Sequence, residues 1–416
     1  MTESKKPLFF YGYVVVAAGF ITLVLAFGTL YSFGVFFKPL STEFGWTRAM
    51  TSGAFSLQWF LAGFLAVIMG RLNDRFGPRL VLTISGFALG LGYLLMSLIS
   101  AIWQLYLFYG VLIAIGVSAT FVPLASTAAR WFVERRGAMT GAVAAGIGFG
   151  TLTVPPIGSW LIDNYGWRTS YTIIGIIALV LVVLAAQFLR RDPGQMGLLP
   201  YGGSEAKQPS LNSITSGFSF REASYTSQFW ILFAIACFFG FGLQAIIVHI
   251  VPHATDLGIS ATSAANILAI VGGLSIVGRV VMGIAGDRVG NKPAIIICFI
   301  LLSAAFCWLI VAKEIWMLYL FAAIFGFAYG GFIVLSSLII AELFGLSSHG
   351  IILGVTLVGG SIGQAISPLL AGYIFDVTQS YNLAFIICAT LSIMALILMI
   401  LLKPLGNQVL AQDRGG

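Results

Sequence analysis

Two ten-residue stretches decide the architecture: Gly70-Arg-Leu-Asn-Asp-Arg-Phe-Gly-Pro-Arg79 and Gly283-Ile-Ala-Gly-Asp-Arg-Val-Gly-Asn-Lys292. Each is a short polar island between long apolar runs, and the two lie 213 residues apart. The same offset carries Pro39, Glu43 and Gly45 onto Pro252, Asp256 and Gly258. It also carries Gly137, Gly141, Gly146, Gly150, Pro155 and Asp163 onto Gly350, Gly354, Gly359, Gly363, Pro368 and Asp376. Glycine and proline mark places where the backbone is most constrained. One constant shift across so many of them means that one structural unit is present twice.

The composition says what kind of unit it is. Of 416 residues 59% are hydrophobic and 8% charged, against ~25% charged in an ordinary soluble protein. The apolar residues number about 245, and twelve membrane-spanning helices of ~20 residues need ~240. A soluble globule is excluded. Charge, Gly and Pro punctuate the chain into spans near 10–37, 49–70, 80–100, 103–129, 138–162 and 168–189. In the second half they fall near 227–252, 261–284, 293–312, 316–341, 350–373 and 381–402. The expected organisation is an all-α membrane protein of twelve helices in two pseudo-symmetric six-helix bundles. These are residues 1–189 and 227–416, with 190–226 as a polar linker. The apolar run Phe9–Phe37 is far longer than the ~7–15 residues of a signal-peptide core and reads as a retained first span. Cys237, Cys298, Cys307 and Cys388 lie inside apolar runs without metal-type spacing and read as small core residues.

Lys and Arg set the orientation. With the N-terminus in the cytoplasm, sixteen basic residues fall on the cytoplasmic side, four outside (Lys38, Arg48, Arg168 and Lys313) and one, Arg279, inside a span. Both termini are therefore expected in the cytoplasm, at the cytoplasmic membrane in a prokaryote. The net charge of +7 is a topology signal and calls for no nucleic-acid partner. Trp46, Trp103, Trp160, Trp167 and Trp316 sit at the proposed outer ends and Trp131 at an inner one, as an interfacial aromatic belt does. Glycines four apart on the fifth and eleventh spans allow close helix packing, or smooth faces on which the halves rock.

The island Gly70–Arg79 resembles the signature loop of the major facilitator superfamily, with a degenerate copy at Gly283–Lys292. Three stretches are similar to the monocarboxylate transporter and oxalate/formate exchanger group. They are Tyr11-Gly-Tyr-Val-Val-Val16, Arg130-Trp-Phe-Val-Glu-Arg-Arg-Gly137 and His249-Ile-Val-Pro-His-Ala-Thr-Asp-Leu-Gly258. The resemblance implies the major facilitator fold, alternating access, and a cytoplasmic gate containing Asp74, Arg75, Asp287 and Arg288. It further implies a central cavity to which Leu30, Phe121, Ile147, Tyr329 and Phe332 contribute at mid-membrane depth.

Arg279 is the charged residue well inside a span. Such a residue costs at least ~2.5–3.5 kcal/mol on insertion scales, and its repeat counterpart is Ala66, so the scaffold does not require it. Snorkelling to the headgroups is the bland account. Facing water, its guanidinium would hold a carboxylate bidentately, and it matches the membrane arginine by which the family is thought to bind its anion. Oxalate-type exchangers carry a second basic residue in the eleventh span, where this chain has Gln364. Four residues before the arginine, mammalian-type relatives have an aspartate where this chain has Ser275. His249, with its titration near neutrality, and Asp256 are the remaining candidates for a proton. His249 and His253 have metal-type i,i+4 spacing, but Pro252 intervenes and no third ligand follows.

The expected function is secondary transport of a small monocarboxylate of the lactate or pyruvate type with a proton, and no other cofactor or metal. Its partners are the carboxylate anion, protons and the lipid bilayer, and it acts as a monomer. An exchanger of the oxalate/formate type is the nearest alternative. A drug exporter fits poorly with a buried cation, and an enzyme lacks a nucleophile–base pair at depth. A transporter-like nutrient sensor would add a signalling domain.

Overall fold

The computed structural model describes residues 10–202, 218–345 and 348–403; the side chains of Val67, Asp74, Val122 and Arg136 lie outside the description. So do Lys5, Lys6, Lys207 and Arg414, which count in the charge asymmetry above.

The described chain is almost wholly helical. The first span is α1 (Gly12–Tyr31) followed directly by α2 (Phe33–Phe44), with a break at Ser32. Next come α3 (Arg48–Phe76) and α4 (Pro78–Met96). The fourth span is composite: α5 (Ile102–Leu105), a π-helical stretch Tyr106–Leu112, α6 (Ile113–Ser118) and α7 (Phe121–Trp131). α8 (Arg136–Phe188) is two spans merged across Gly166, whose φ of 74° breaks the helix. After the short α9 (Phe220–Ser224) follow α10 (Ser227–Asp256), α11 (Ala261–Val289), α12 (Asn291–Val311), α13 (Ile315–Phe344), α14 (His349–Thr378) and α15 (Asn382–Leu401). With α1–α2 and α5–α7 each one span and α8 two, the described residues make twelve spans. Every one matches a predicted span to within a few residues at its start.

The repeat is written into the backbone. Left-handed residues recur at the same offset: Gly45 with Gly258, Gly77 with Gly290, and Gly166 with Gln379. Gly77 and Gly290 each begin the turn before the next helix, which is why both signature stretches carry glycine there.

Contacts divide the chain into two compact units, Met1–Gln208 with Ala261–Gly272, and Pro209–Ser260 with Gly273–Gly416. Within the first, α1 packs on α8 through glycine. A Cβ at Gly146 would lie 2.6 Å from the Phe20 carbonyl oxygen, and one at Gly150 would strike the carbonyl of Val24. Within the second, α10 meets α14 the same way, Gly359 against the Phe233 carbonyl and Gly363 against that of Cys237. Gly137, Gly141, Gly350 and Gly354 face open space. Each glycine ridge is thus half packing seam and half open.

Side-chain ties repeat as well. Arg79 Nε donates to Gln187 Oε1 at 2.9 Å; at the matching place Lys292 Nζ donates to the carbonyls of Ile400 and Leu402 at 2.9 and 2.7 Å. The linker is clipped at both ends on matching acceptors: Tyr201 N–H donates to the Trp131 carbonyl and Phe218 N–H to the Phe344 carbonyl, each at 2.9 Å.

Two tryptophans depart from the expected aromatic belt. Trp103, Trp160 and Trp316 are exposed, but Trp131 and Trp167 are buried. Their indole N–H groups donate to the Arg190 carbonyl and to Glu43. A buried indole needs such an acceptor, and both serve as fasteners within the fold.

Candidate functional site

In the second unit α11 and α13 touch backbone to backbone. A Cβ at Gly278 would strike the Phe327 carbonyl, and one at Gly330 the Ser275 carbonyl. Arg279 follows Gly278 directly and is buried, 9% exposed. A guanidinium with so little access to solvent is tolerated only where anions or hydrogen bonds compensate it. Tyr329 lies between Phe327 and Gly330 in sequence, on the turn of α13 apposed to the Arg279 turn of α11. Its ring stacks between Phe325 and Phe239, with centroids 6.3 and 6.2 Å away. Phe332 packs on Phe239 at 4.3 Å and Phe299 at 5.1 Å. Arg279, Tyr329 and Phe332 are thereby gathered in one region of this unit. The neighbouring narrow pocket, lined by Phe238, Phe239, Phe299, Phe306, Phe325 and Ser392 among others, has no charged wall and is no place for an anion.

His249 is fully buried on α10. Its Nε2 lies 2.8 Å from the Pro368 carbonyl and its Nδ1 3.0 Å from the Tyr381 hydroxyl. A carbonyl only accepts, so Nε2 carries the hydrogen and donates. In the neutral ring Nδ1 is then the acceptor for Tyr381. A proton taken up at Nδ1 reverses that bond, and the phenol must turn its own hydrogen elsewhere. His253, one turn on, packs edge-on against Tyr381 and Phe385. Asp256 is exposed at the end of α10. Among the described residues no group of three His, Cys, Asp or Glu could hold a metal ion.

In the first unit Leu30 is fully buried beside the break at Ser32, and its carbonyl accepts a 3.0 Å bond from the Tyr109 hydroxyl. Tyr109 sits in the π-helical stretch, an irregularity often found at functional sites. Ile147 is buried on α8, one residue past Gly146 on the α1 seam; Phe121 opens α7 and is 37% exposed. Arg75 is exposed with its guanidinium 5.2 Å from the Phe76 ring centroid, and Asp287 and Arg288 are exposed at the end of α11. The Asp74 side chain lies outside the described ones.

Sequence reasoning missed Tyr381. The offset held the signal: it aligns Tyr381 with Arg168, and His249 with Phe36, so both halves of the pair replace unlike residues.

A family model described as Major Facilitator Superfamily matches residues 19–280 and 232–415. Monocarboxylate transporter 13 of Rattus norvegicus is 30% identical over 387 residues, covering 92% of this chain and 87% of its own. Monocarboxylate transporter 12 of the same species is 25% identical, covering 94% and 85%. Among solved structures, a bacterial homologue of the human lysosomal transporter Spinster, in an inward-facing and occupied conformation, superposes with a TM-score of 0.75. It covers 96% of this chain and 97% of its own at 15% identity, a likeness of fold.

Proposed function

Because the chain belongs to the Major Facilitator Superfamily and is a multi-pass membrane transporter with no enzymatic role, we propose that it carries a small monocarboxylate of the lactate or pyruvate type together with a proton. The observation that carries this reading is Arg279, a guanidinium buried at 9% exposure inside a span whose repeat counterpart is Ala66. One fork-shaped cation answers one carboxylate; a dicarboxylate would leave a second charge unpaired in a poorly solvated place. Tyr329, on the facing turn of α13, is the hydroxyl assigned to the anion. Phe332 supplies apolar wall with Phe239 and Phe299; Leu30, Ile147 and Phe121 are the candidate substrate residues of the first unit.

The coupling proton is assigned to His249, whose buried Nδ1 accepts from Tyr381, with Asp256 as the exposed carboxylate that receives it first. Anion plus proton moves no net charge, so the pH gradient drives transport with ~1.4 kcal/mol per unit and the membrane potential adds nothing. Asp74, Arg75, Asp287 and Arg288 are assigned to a gate on the cytoplasmic side, where the charge asymmetry also puts both termini. The monomer is the functional unit, and the proton is the only coupling species.

Uptake of labelled lactate into proteoliposomes, with and without an inward proton gradient, tests this for wild type and Arg279→Ala. Gradient-driven uptake lost in the variant is the expected result. Uptake that requires internal anion and ignores the gradient would make the protein an exchanger. Unchanged uptake in the variant would remove Arg279 from the site.

A further inference from the structure

In the first unit the seam between α4 and α8 ends in a fixed basic pair. Arg79 Nε donates to Gln187 Oε1 at 2.9 Å, and Arg190 Nη1 donates to the carbonyls of Gln187 and Leu189 at 2.8 and 3.0 Å. Both guanidinium groups are thus anchored on one residue. Gln187 is itself held in place. Its Nε2 donates to Thr83 Oγ1 at 3.0 Å and to the Val183 carbonyl at 3.1 Å, which leaves its oxygen turned to Arg79. Thr83 Oγ1 donates in turn to the Arg79 carbonyl at 2.7 Å.

The repeat shows what this arrangement releases. In the second unit Lys292, the counterpart of Arg79, spends its ammonium on the carbonyls of Ile400 and Leu402. Across the offset those two residues are Gln187 and Leu189, whose carbonyls Arg190 caps in the first unit. The carbonyls on either side of Leu189 are also taken. Phe188 accepts from the Tyr11 hydroxyl at 2.8 Å and Arg190 from the Trp131 indole at 2.9 Å. A basic side chain commonly caps the last carbonyls of a helix, and here that task is complete without Arg79. Arg79 is exposed, and its two terminal nitrogens have no protein acceptor among the described residues. Neither arginine meets a carboxylate among those residues; Asp192, near them in sequence, accepts from the Gln195 amide. A topology charge needs only a basic residue at a helix end. It does not need two guanidinium groups fixed on a buttressed glutamine.

The two helices that carry the pair touch along their length. A Cβ at Gly90 would strike Leu179, and one at Gly86 would lie 3.0 Å from Val182 and Val183. Leu80, Ile84 and Phe87 of α4 and Leu184 and Phe188 of α8 are exposed, an apolar surface that leads up to the basic pair.

We infer that Arg79 and Arg190 bind the phosphate of an anionic phospholipid whose acyl chains lie along the exposed faces of α4 and α8. The free edge of the Arg79 fork matches two phosphate oxygens. Arg190, with Nη1 spent on capping, adds charge and its remaining donors. Basic pockets between spans at headgroup depth hold anionic headgroups in this way. The site selects an anionic lipid because in phosphatidylcholine the ammonium of the headgroup cancels the phosphate charge. Gln187 is a positioning residue, since it aims the fork and touches no lipid itself.

The test uses the full-length protein purified in lipid-free detergent. Phosphatidylglycerol or phosphatidylcholine is added in steps, and bound lipid is counted by native mass spectrometry. Wild type is expected to retain one phosphatidylglycerol about tenfold more tightly than phosphatidylcholine. Arg79→Gln should lose that preference. Gln187→Leu, which leaves the charge unchanged, should weaken it a few-fold, an effect that charge attraction alone does not produce. Arg71→Gln removes the same charge from an exposed position of the same polar stretch, and Lys292→Gln removes it at the matching place of the second unit. Both should stay within about twofold of wild type. Equal retention of the two lipids by wild type would overturn the site. So would equal losses in Arg79→Gln and Arg71→Gln, which would mean a diffuse basic surface, or full retention in both Arg79→Gln and Gln187→Leu. Inorganic phosphate that displaces the lipid better than chloride at equal ionic strength would make the ligand a free anion and overturn the lipid assignment.

Discussion

At one corner of the first unit, the carboxylate of Glu43 is clasped by the Arg168 guanidinium and by the Trp167 indole at 2.5 Å. Arg168 also holds the Ile99 carbonyl at 3.1 Å and lies 4.2 Å from the Trp167 ring centroid. The same corner of the second unit has Asp256 for Glu43, Ser380 for Trp167 and Tyr381 for Arg168. There the aromatic residue meets a buried histidine, where its counterpart pairs with an exposed carboxylate. Ala384 stands where the first unit has Tyr171, which stacks on Phe36 at 4.0 Å. The smaller residue leaves space in which the His249–Tyr381 pair replaces a plain aromatic stack. One scaffold thus uses a corner once as a solvent-facing fastener and once as a buried hydrogen-bonded pair. Arg279 for Ala66, His249 for Phe36, Gln244 for Tyr31 and Ser367 for Val154 all lie on the second side of the repeat. The polar and charged side chains of these four pairs stand in the second copy of the frame, except for the Tyr31 hydroxyl that faces Gln244 across the offset.

The asymmetry is open to attack at four points. Arg279→Lys keeps the added charge but loses the bidentate fork; kcat/KM for labelled lactate should fall roughly 10- to 100-fold, about 1.4–2.7 kcal/mol. His249→Phe imports the first unit's residue and should abolish most of the stimulation by an inward proton gradient, roughly tenfold, read as the ratio of uptake with and without the gradient. Tyr381→Phe removes one hydroxyl bond, worth ~0.5–1.5 kcal/mol; the pH–rate profile should shift while the substrate KM holds within about twofold. Glu43→Gln loosens the opposite corner. Its clasp is 45% and 41% exposed, so the cost is about 0.5–1 kcal/mol. A melting temperature lower by about 1–2 °C is expected, with the pH profile of uptake unmoved. A pH shift from Glu43→Gln, or none from Tyr381→Phe, would break the contrast between the corners.

Much of this was legible before the coordinates. The 213-residue offset anticipated the matched turns at Gly77 and Gly290, because a left-handed turn demands a residue type that sequence displays. The apolar runs between charge, Gly and Pro anticipated the spans, because hydrophobic length is set by the bilayer. Neither pattern revealed the break at Ser32 or the π-helical turn at Tyr106–Leu112. The two are joined by the Tyr109 hydroxyl on the Leu30 carbonyl 79 positions away, a contact that local pattern does not encode. Trp131 and Trp167 read as belt residues because their positions along the chain were right; which way each indole turned was a matter of packing. His249 stood out as titratable, whereas its partners, a proline carbonyl and a tyrosine from another helix, carry no motif. Arg279 was plain throughout, since a charge in an apolar run needs no tertiary context to be conspicuous.

The paired clips at Tyr201 and Phe218 have a practical meaning for anyone dissecting the molecule. Each belongs to its own unit and is made by backbone atoms on the carbonyls of Trp131 and Phe344, 213 residues apart. A polypeptide cut between the clips leaves either fragment with its edge already tied down. Two genes, one encoding each fragment, should therefore yield a reassembled carrier on coexpression, and a reporter protein spliced into the same interval should report on the halves without unfastening them.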